Sequence, residues 1–412
     1  MNALVLTLIL VTQAVAAAGA RVPSPAERRI DAARLVLAKQ PNRYQAYNEL
    51  AMALARRARE SGDARYNQQA EQALESSLRI QPQNFEGKQA LVYVLLGEHK
   101  YKQALAEAQA LNRATPDALL VWGYMAEADA ALGDYDQAAK AAQWMMNLRP
   151  GNVPAYLCGA VLREDWGDLS GALEFLGKAL QATPPLETEE TAWILTAMAR
   201  LNRISANLDE ADSLLQQALK TFPAYHLALE ESGRLRMEQK RYADAVTILE
   251  ERNQNSSSME SRYLLAEALE HAGREAQAGA AYAQFEGEAR GRIDEADNDN
   301  QELVLYYAGR GHRPDEALRI ARLEFAGRHD AGTRDAYAWA LYVNGQYEEA
   351  RRQVEQAVAV GARDATLFSH AASIARATGD KAAASRYSKM ATELDRTVAQ
   401  PLLVVQTENQ GE

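Results

Sequence analysis

A spacing of 34 residues recurs along this chain and constrains its fold more than any other feature. Gly133-Asp134-Tyr135 is answered 34 residues later by Gly167-Asp168-Leu169, and Ala138 by Ala172. Pro116, Pro150 and Pro184 fall at the same interval. A fixed period of this length marks a repeated supersecondary unit that cannot bury its apolar face alone and so stacks on its neighbours. One alanine per unit carries the register onward, at Ala70, Ala104, Ala138, Ala172, Ala211, Ala245, Ala278, Ala317, Ala350 and Ala384. Tyr101, Tyr135, Tyr242 and Tyr347 each stand three residues before one of these alanines, on the same helical face.

Within a unit the residue types fit two helices and two stops. A Gly just past a helix adopts the left-handed conformation without a Cβ penalty. A Pro cannot continue a helix. An alanine at a helix crossing lets two helices approach closely. The unit resembles a tetratricopeptide repeat (TPR), and the chain resembles the non-catalytic, exported bacterial proteins built from it. Trp122 stands where that family places a large residue on the first helix and Ala126 at its small position. Gly133 ends the first helix, Ala138 is the small residue of the second, and Pro150 stops the unit. The resemblance implies an all-α fold, a right-handed superhelical solenoid of about ten helix-turn-helix (TPR-like) repeats.

Domain organisation follows from where the register holds. Residues 1–20 carry an apolar run from Ala3 to Val11 and then two A-x-A triplets, Ala14-Val15-Ala16 and Ala18-Gly19-Ala20, with no Lys or Arg before the run. This has the form of a signal peptide; the alternative is an uncleaved N-terminal anchor. Residues 21–41 read as a linker and a capping helix whose apolar face is Ile30, Ala33 and Leu37. Residues 42–396 are the repeat array and 397–412 a C-terminal tail. Four departures from the period are expected to be irregular. Arg56 to Ala64 is read as a long bridge between two helices, and Pro185 to Glu190 as an insertion. Asn253 to Ser258 is read as a polar turn, and Gly287 to Asn300 as a polar, acidic loop or hinge. Elsewhere each unit is expected to touch only its neighbours.

The chain shows no pattern that carries catalysis. It has no GxSxG, P-loop, GxGxxG or HExxH. Its six histidines (His99, His226, His271, His312, His329, His370) are scattered, which points to structural or surface roles, and Glu189-Glu190 is read as a solvated loop pair. Asp294 to Asn300 fails the EF-hand spacing, because a start at Asp297 puts Glu302 where Gly is required. Asn255-Ser256-Ser257 matches a glycosylation sequon, a frequent chance occurrence. Cys158, the only cysteine, falls on a first helix and reads as a small buried hydrophobe. No catalytic residue, cofactor or metal is expected. A net charge of −11 and a pI near 5.3 argue against a nucleic-acid partner. Membrane contact is expected only through the N-terminal segment, if that is uncleaved.

What remains is a binding surface. One stripe of each first helix should face the concave side of the array. In the ninth unit the stripe is Asp335, Trp339 and Tyr342, with Tyr306 and Ser373 at the Trp339 position of the flanking units. In the middle units it is mixed: Arg200 and Arg203, then Glu230 and Arg234, then Tyr263, Glu267 and Glu270. The Lys/Asn clamp with which some members of the family grip a terminal carboxylate is replaced by Asn48, Met52, Gln89 and Tyr93. The resemblance implies a periplasmic or secreted scaffold that binds a protein or peptide partner on its concave face. Tyr306, Asp335, Trp339, Tyr342 and Arg376 are the candidate contacts. The alternative is a regulatory subunit of, or structural part in, an envelope polymer or secretion assembly.

Overall fold

A computed structural model describes residues 23–255, 258–293 and 300–394. The signal segment, the C-terminal tail, residues 294–299 of the acidic stretch and part of the sequon lie outside the described residues. Those residues form 21 α-helices and no strand. A single helix, α1 (Pro25–Lys39), precedes ten helix pairs. The first five pairs are α2 (Tyr44–Ser61) with α3 (Arg65–Ile80), α4 (Phe85–Gly97) with α5 (Tyr101–Ala114), α6 (Leu119–Ala131) with α7 (Tyr135–Leu148), α8 (Val153–Asp165) with α9 (Leu169–Ala182), and α10 (Thr188–Ile204) with α11 (Leu208–Thr221). The second five are α12 (His226–Glu238) with α13 (Tyr242–Asn255), α14 (Met259–His271) with α15 (Glu275–Gly291), α16 (Gln301–Ala308) with α17 (Pro314–Gly327), α18 (Ala331–Val343) with α19 (Tyr347–Val360), and α20 (Ala365–Ala377) with α21 (Lys381–Leu394).

All ten register alanines are buried, none more than 5% exposed. Each lies on the second helix of its pair, where any larger side chain would push the pair apart. Side-chain caps start several helices: Ser24 with Glu27 forms a capping box on α1, and Asn84, Asp134, Asn152, Asp168, Asp330 and Asp364 each accept a backbone N–H of the first turn. Gly133 has φ +83, the left-handed turn expected at the end of a first helix. Trp122 donates its indole N–H to the Pro116 carbonyl at 2.7 Å and packs on Trp144. The α1 helix closes the open end through Ala26, Ile30 and Ala33. It is pinned by Glu60, buried on α2, which accepts from the Ser24 hydroxyl and the Ala26 N–H.

Five expectations need correction. Arg56 to Ser61 is not a bridge but the last turns of α2, because nothing in it breaks a helix until Gly62 takes φ +72. Glu189 and Glu190 lie in the first turn of α10, which absorbs part of the insertion as extra helix; Glu189 is buried rather than solvated. Gly287 to Gly291 and Asn253 to Asn255 end α15 and α13 as helix.

The fifth correction concerns contacts along the array. The units coil tightly enough that successive turns of the coil touch. The Gly62 turn of the first pair meets His226 at the start of the sixth, whose ring Nε2 donates to the Arg59 carbonyl at 2.8 Å. Arg56 pairs with Glu187 at 2.6 Å and Arg59 with Glu189 at 2.7 Å, across about 130 residues of sequence. Further on, the His329 N–H donates to the Ala131 carbonyl at 3.1 Å, and Lys102 to the Ala326 carbonyl at 2.6 Å. The Gly167 and Gly361 turns lie against each other. Each turn between the helices of an early pair therefore docks on a later pair, and the coil carries a seam. Burial and the neighbouring Arg252 push the His226 pKa down to about 3, so the ring is neutral at the seam and serves as a plain N–H donor.

Candidate functional site: the inner wall of the coil

The inner wall is built by the first helices of the pairs, and in the middle units its arginines are committed to the wall itself. Glu164 on α8 pairs with Arg200 on α10 at 2.6 Å. Arg203 on the same helix reaches Glu231 and Glu238 on α12. Arg234 on α12 reaches Glu260 on α14, and Glu270 on α14 holds Arg310, just past α16, at 2.5 Å. Each step joins one unit to the next, so the wall is a ladder of ion pairs running with the coil. At its start Arg59 spans the seam to Glu189 and also donates to the Tyr93 hydroxyl at 3.2 Å. Tyr225, fully buried, donates to the same Glu189 carboxylate at 3.2 Å.

Carboxylates outnumber the arginines free to meet them. Glu127 on α6 is exposed to solvent but crowded by the surrounding wall; the crowding raises its pKa, and the field of Arg59 opposes that rise. Glu267 on α14 is pushed up to about 7 by burial, against the pull of Arg234. Asp165 is pushed up to about 7 by burial and by Glu164 beside it. Cys158 is half-buried against Ala138, Ala142 and Leu162, and burial pushes its thiol up to about 12. That thiol is a packing group rather than a nucleophile. The described residues hold no group of three or more His, Cys, Asp or Glu side chains placed to bind a metal ion. None of their helices is long and apolar enough to cross a membrane.

The five candidate contact residues fall into two places. Asp335, Trp339 and Tyr342 share one face of α18. Trp339 is half-buried, stacked on Tyr342 at 4.8 Å and on His370 of the following unit at 4.1 Å between ring centres. Asp335 is buried and accepts from His370 Nδ1 at 2.9 Å, which holds that ring flat against the indole. Arg376 is exposed on α20, bonded to Ser373 and Ser388, and close enough to Tyr342 for its charge to act on the phenol. Tyr306 belongs to a separate aromatic cluster with Tyr263, Tyr282, Phe285 and Tyr307. The spacing of the stripe thus places Trp339 and Tyr342 on one face, in contact, but does not include His370, which comes from the next unit. It also leaves out Tyr124 and Glu127 on α6 and does not foresee that the curvature of the coil brings Glu189 to Arg59.

No family model matches the chain, and no curated protein matches it. Similar solved structures exist. A human IFIT1 dimer with PPP-AAAA is 14% identical, with a TM-score of 0.50 over 90% of this chain and 95% of that one. PilW, described as a widely conserved type IV pilus biogenesis factor, is 18% identical, with a TM-score of 0.43 over 50% of this chain and 93% of that one. A tetratricopeptide repeat protein from Parabacteroides merdae is 14% identical, with a TM-score of 0.45 over 58% of this chain and 91% of that one. The first likeness runs over nearly the whole of both chains and shows the fold, an all-α solenoid of TPR-like helix pairs.

Proposed function

We propose that the protein is a non-catalytic scaffold that binds an extended protein or peptide segment along the inner wall of its coil. One observation carries this reading: the first helices present a polar and aromatic wall, held in place by ion pairs from unit to unit between the fourth and the eighth. A wall fixed in this way loses little freedom when a flexible segment is laid on it. The unpaired carboxylates Glu127, Asp165 and Glu267 disfavour a polyphosphate such as the PPP-AAAA of the IFIT1 complex, which keeps the proposed partner a protein. The apolar start of the chain and its A-x-A triplets support an exported scaffold acting in the cell envelope or outside it. The test is photocrosslinking in the native envelope from a crosslinker placed at Tyr124 on α6 or at Gln72 on the outward helix α3. The inner position should yield a specific protein adduct and the outer none; the reverse pattern would favour an assembly component held by its outer face.

The Trp339 end of the wall gives a sharper check. Because the indole is only half-buried, Trp339→Ala should destabilise the C-terminal units by about 1–2 kcal/mol, less than the 3–5 of a fully buried aromatic. As a rigid aromatic beside Tyr342 and Arg376 it should also weaken the captured partner by about 2 kcal/mol or more. Titration of the partner against the variant, at a temperature where the array remains folded, measures this. Unchanged affinity would remove this end of the wall from the binding surface.

A further inference from the structure

The chain grips its own arginines in a repeated way. Tyr282 donates its hydroxyl to Glu270 at 3.1 Å, and Arg310 lies over the Tyr282 ring at 4.5 Å while pairing with Glu270. Tyr307 donates to Glu286 at 2.9 Å, and Arg313 lies over the Tyr307 ring at 5.3 Å while pairing with Glu286 at 2.8 Å. Each is a socket in which a tyrosine face and a carboxylate together hold one guanidinium. Ion pairing and the attraction of a cation for an aromatic face add in such a place.

At two similar places on the inner wall the carboxylate makes no ion pair with a guanidinium. On α14, Tyr263 stands one turn before Glu267 on the same helix. The nearest arginine, Arg234, is committed to Glu230 and Glu260. On α6, Glu127 stands one turn from Tyr124, whose ring meets Tyr93 at 6.0 Å. Arg59 is within electrostatic reach of Glu127 but is bonded to Glu189 and Tyr93. Among the described residues Glu127 makes no ion pair.

We infer that these two open sockets, Tyr93/Tyr124/Glu127 and Tyr263/Glu267, receive lysine or arginine side chains from a basic segment of the partner protein. The inference rests on the inner-wall reading above and adds the chemistry of the partner. Both sockets lie on first helices, four units apart, so one extended segment running along the wall can reach both. Charge complementarity selects this occupant: the arginines nearest the two sockets, Arg59 and Arg234, are already paired, and the charges left over there are carboxylates. An arriving ammonium or guanidinium would complete each socket as Arg310 and Arg313 complete the other two.

The experiment uses the folded chain and three labelled peptides of equal length: one rich in Lys and Arg, one neutral, one acidic. Fluorescence anisotropy should show the basic peptide binding best, with affinity falling as salt rises. The double variant Glu127→Gln/Glu267→Gln should weaken the basic peptide by at least about tenfold. The control pair Glu75→Gln/Glu251→Gln, exposed on the second helices α3 and α13, should leave it unchanged. Glu127→Lys, a change at an exposed position, provides a second variant should the double one fail to fold. It should lower affinity for the basic peptide and raise it for the acidic one. Equal binding of the three peptides, or equal loss in the inner and control pairs, would overturn the inference. If the photocrosslinked partner attaches at Tyr124 yet binds the double glutamine variant as tightly as the wild type, the sockets are wrong and the inner-wall reading stands. If the partner attaches only on the outer face, both fall.

Discussion

Replacing Glu189 with alanine is expected to loosen the coil at its seam, although the residue is a charged one at the start of a helix. Glu189 is 1% exposed in the first turn of α10 and accepts from Arg59 of the first pair and from Tyr225 of the sixth. The substitution leaves the buried Tyr225 hydroxyl without its acceptor and Arg59 with only the Tyr93 hydroxyl. Breaking a fully buried ion pair costs about 3–5 kcal/mol. The Arg59 side chain is 46% exposed, so water takes up part of its loss, and about 2–3 kcal/mol is the expected effect. Urea unfolding should show the midpoint fall. Solution X-ray scattering below that midpoint should show a larger radius of gyration as the first turn of the coil swings away from the second. Glu190→Ala, at the half-buried neighbour that makes no such bridge, should do neither. Tyr225→Phe should reproduce about 1 kcal/mol of the loss, the contribution of one hydrogen bond. A Glu189 variant with unchanged size and midpoint would mean that the seam contributes nothing to the closed coil.

The repeat architecture was legible because it depends on local choices repeated in register. Ala138 and its nine counterparts must be small wherever the two helices of a unit cross, and Gly133 must turn left-handed wherever the first helix stops. Each unit restates these constraints, so a weak signal at one alanine becomes decisive over ten. The seam is a different kind of property. Whether the first unit meets the sixth depends on a small rotation accumulated over five steps, and no residue in any one unit encodes that sum. Arg56, Arg59, Glu187 and Glu189 consequently look like ordinary solvated charges until the coil is built.

The errors inside the array have a more local cause. The length of the first unit suggests a bridge from Arg56 to Ala64, yet Arg56 to Ser61 holds no Gly or Pro, and α2 simply continues to Gly62. Likewise Thr188-Glu189-Glu190 places two acidic residues in the first turn of a helix, a start signal in its own right. The period suggests an insertion there, but the chain spends part of that extra length on an additional helical turn. At the candidate site the i, i+4, i+7 spacing placed Asp335, Trp339 and Tyr342 on one face. The burial of Asp335 could not be read from that spacing, because its partner His370 stands 35 residues away on the following unit.

Gly361→Ala should be among the most damaging small substitutions in the chain, and a set of glycine variants can show that the seam is the reason. Gly345 has φ +72 and open space where a Cβ would go, so Gly345→Ala should cost only the penalty of a left-handed alanine, about 1–2 kcal/mol. Gly361 has φ +109, and a methyl group there would sit 2.7 Å from the Trp166 carbonyl oxygen across the seam. Backbone cannot step aside as a flexible side chain can. Overpacking adds about 1–3 kcal/mol to the conformational penalty, so about 3 kcal/mol or more is expected for Gly361→Ala. Gly167→Ala approaches the same contact from the other side, since its methyl group would overlap the Gly361 carbonyl. The two turns share one interface, and once either variant has forced it apart the second can lose only its own conformational share. The double variant should therefore fall short of the sum of the singles by about 1–2 kcal/mol in urea unfolding, a coupling of the size found between residues in contact. Gly345→Ala combined with Gly361→Ala, which share no such contact, should be additive. Full additivity for Gly167 and Gly361 would show that the two turns do not press on each other in solution, and the coil would then be open at this end.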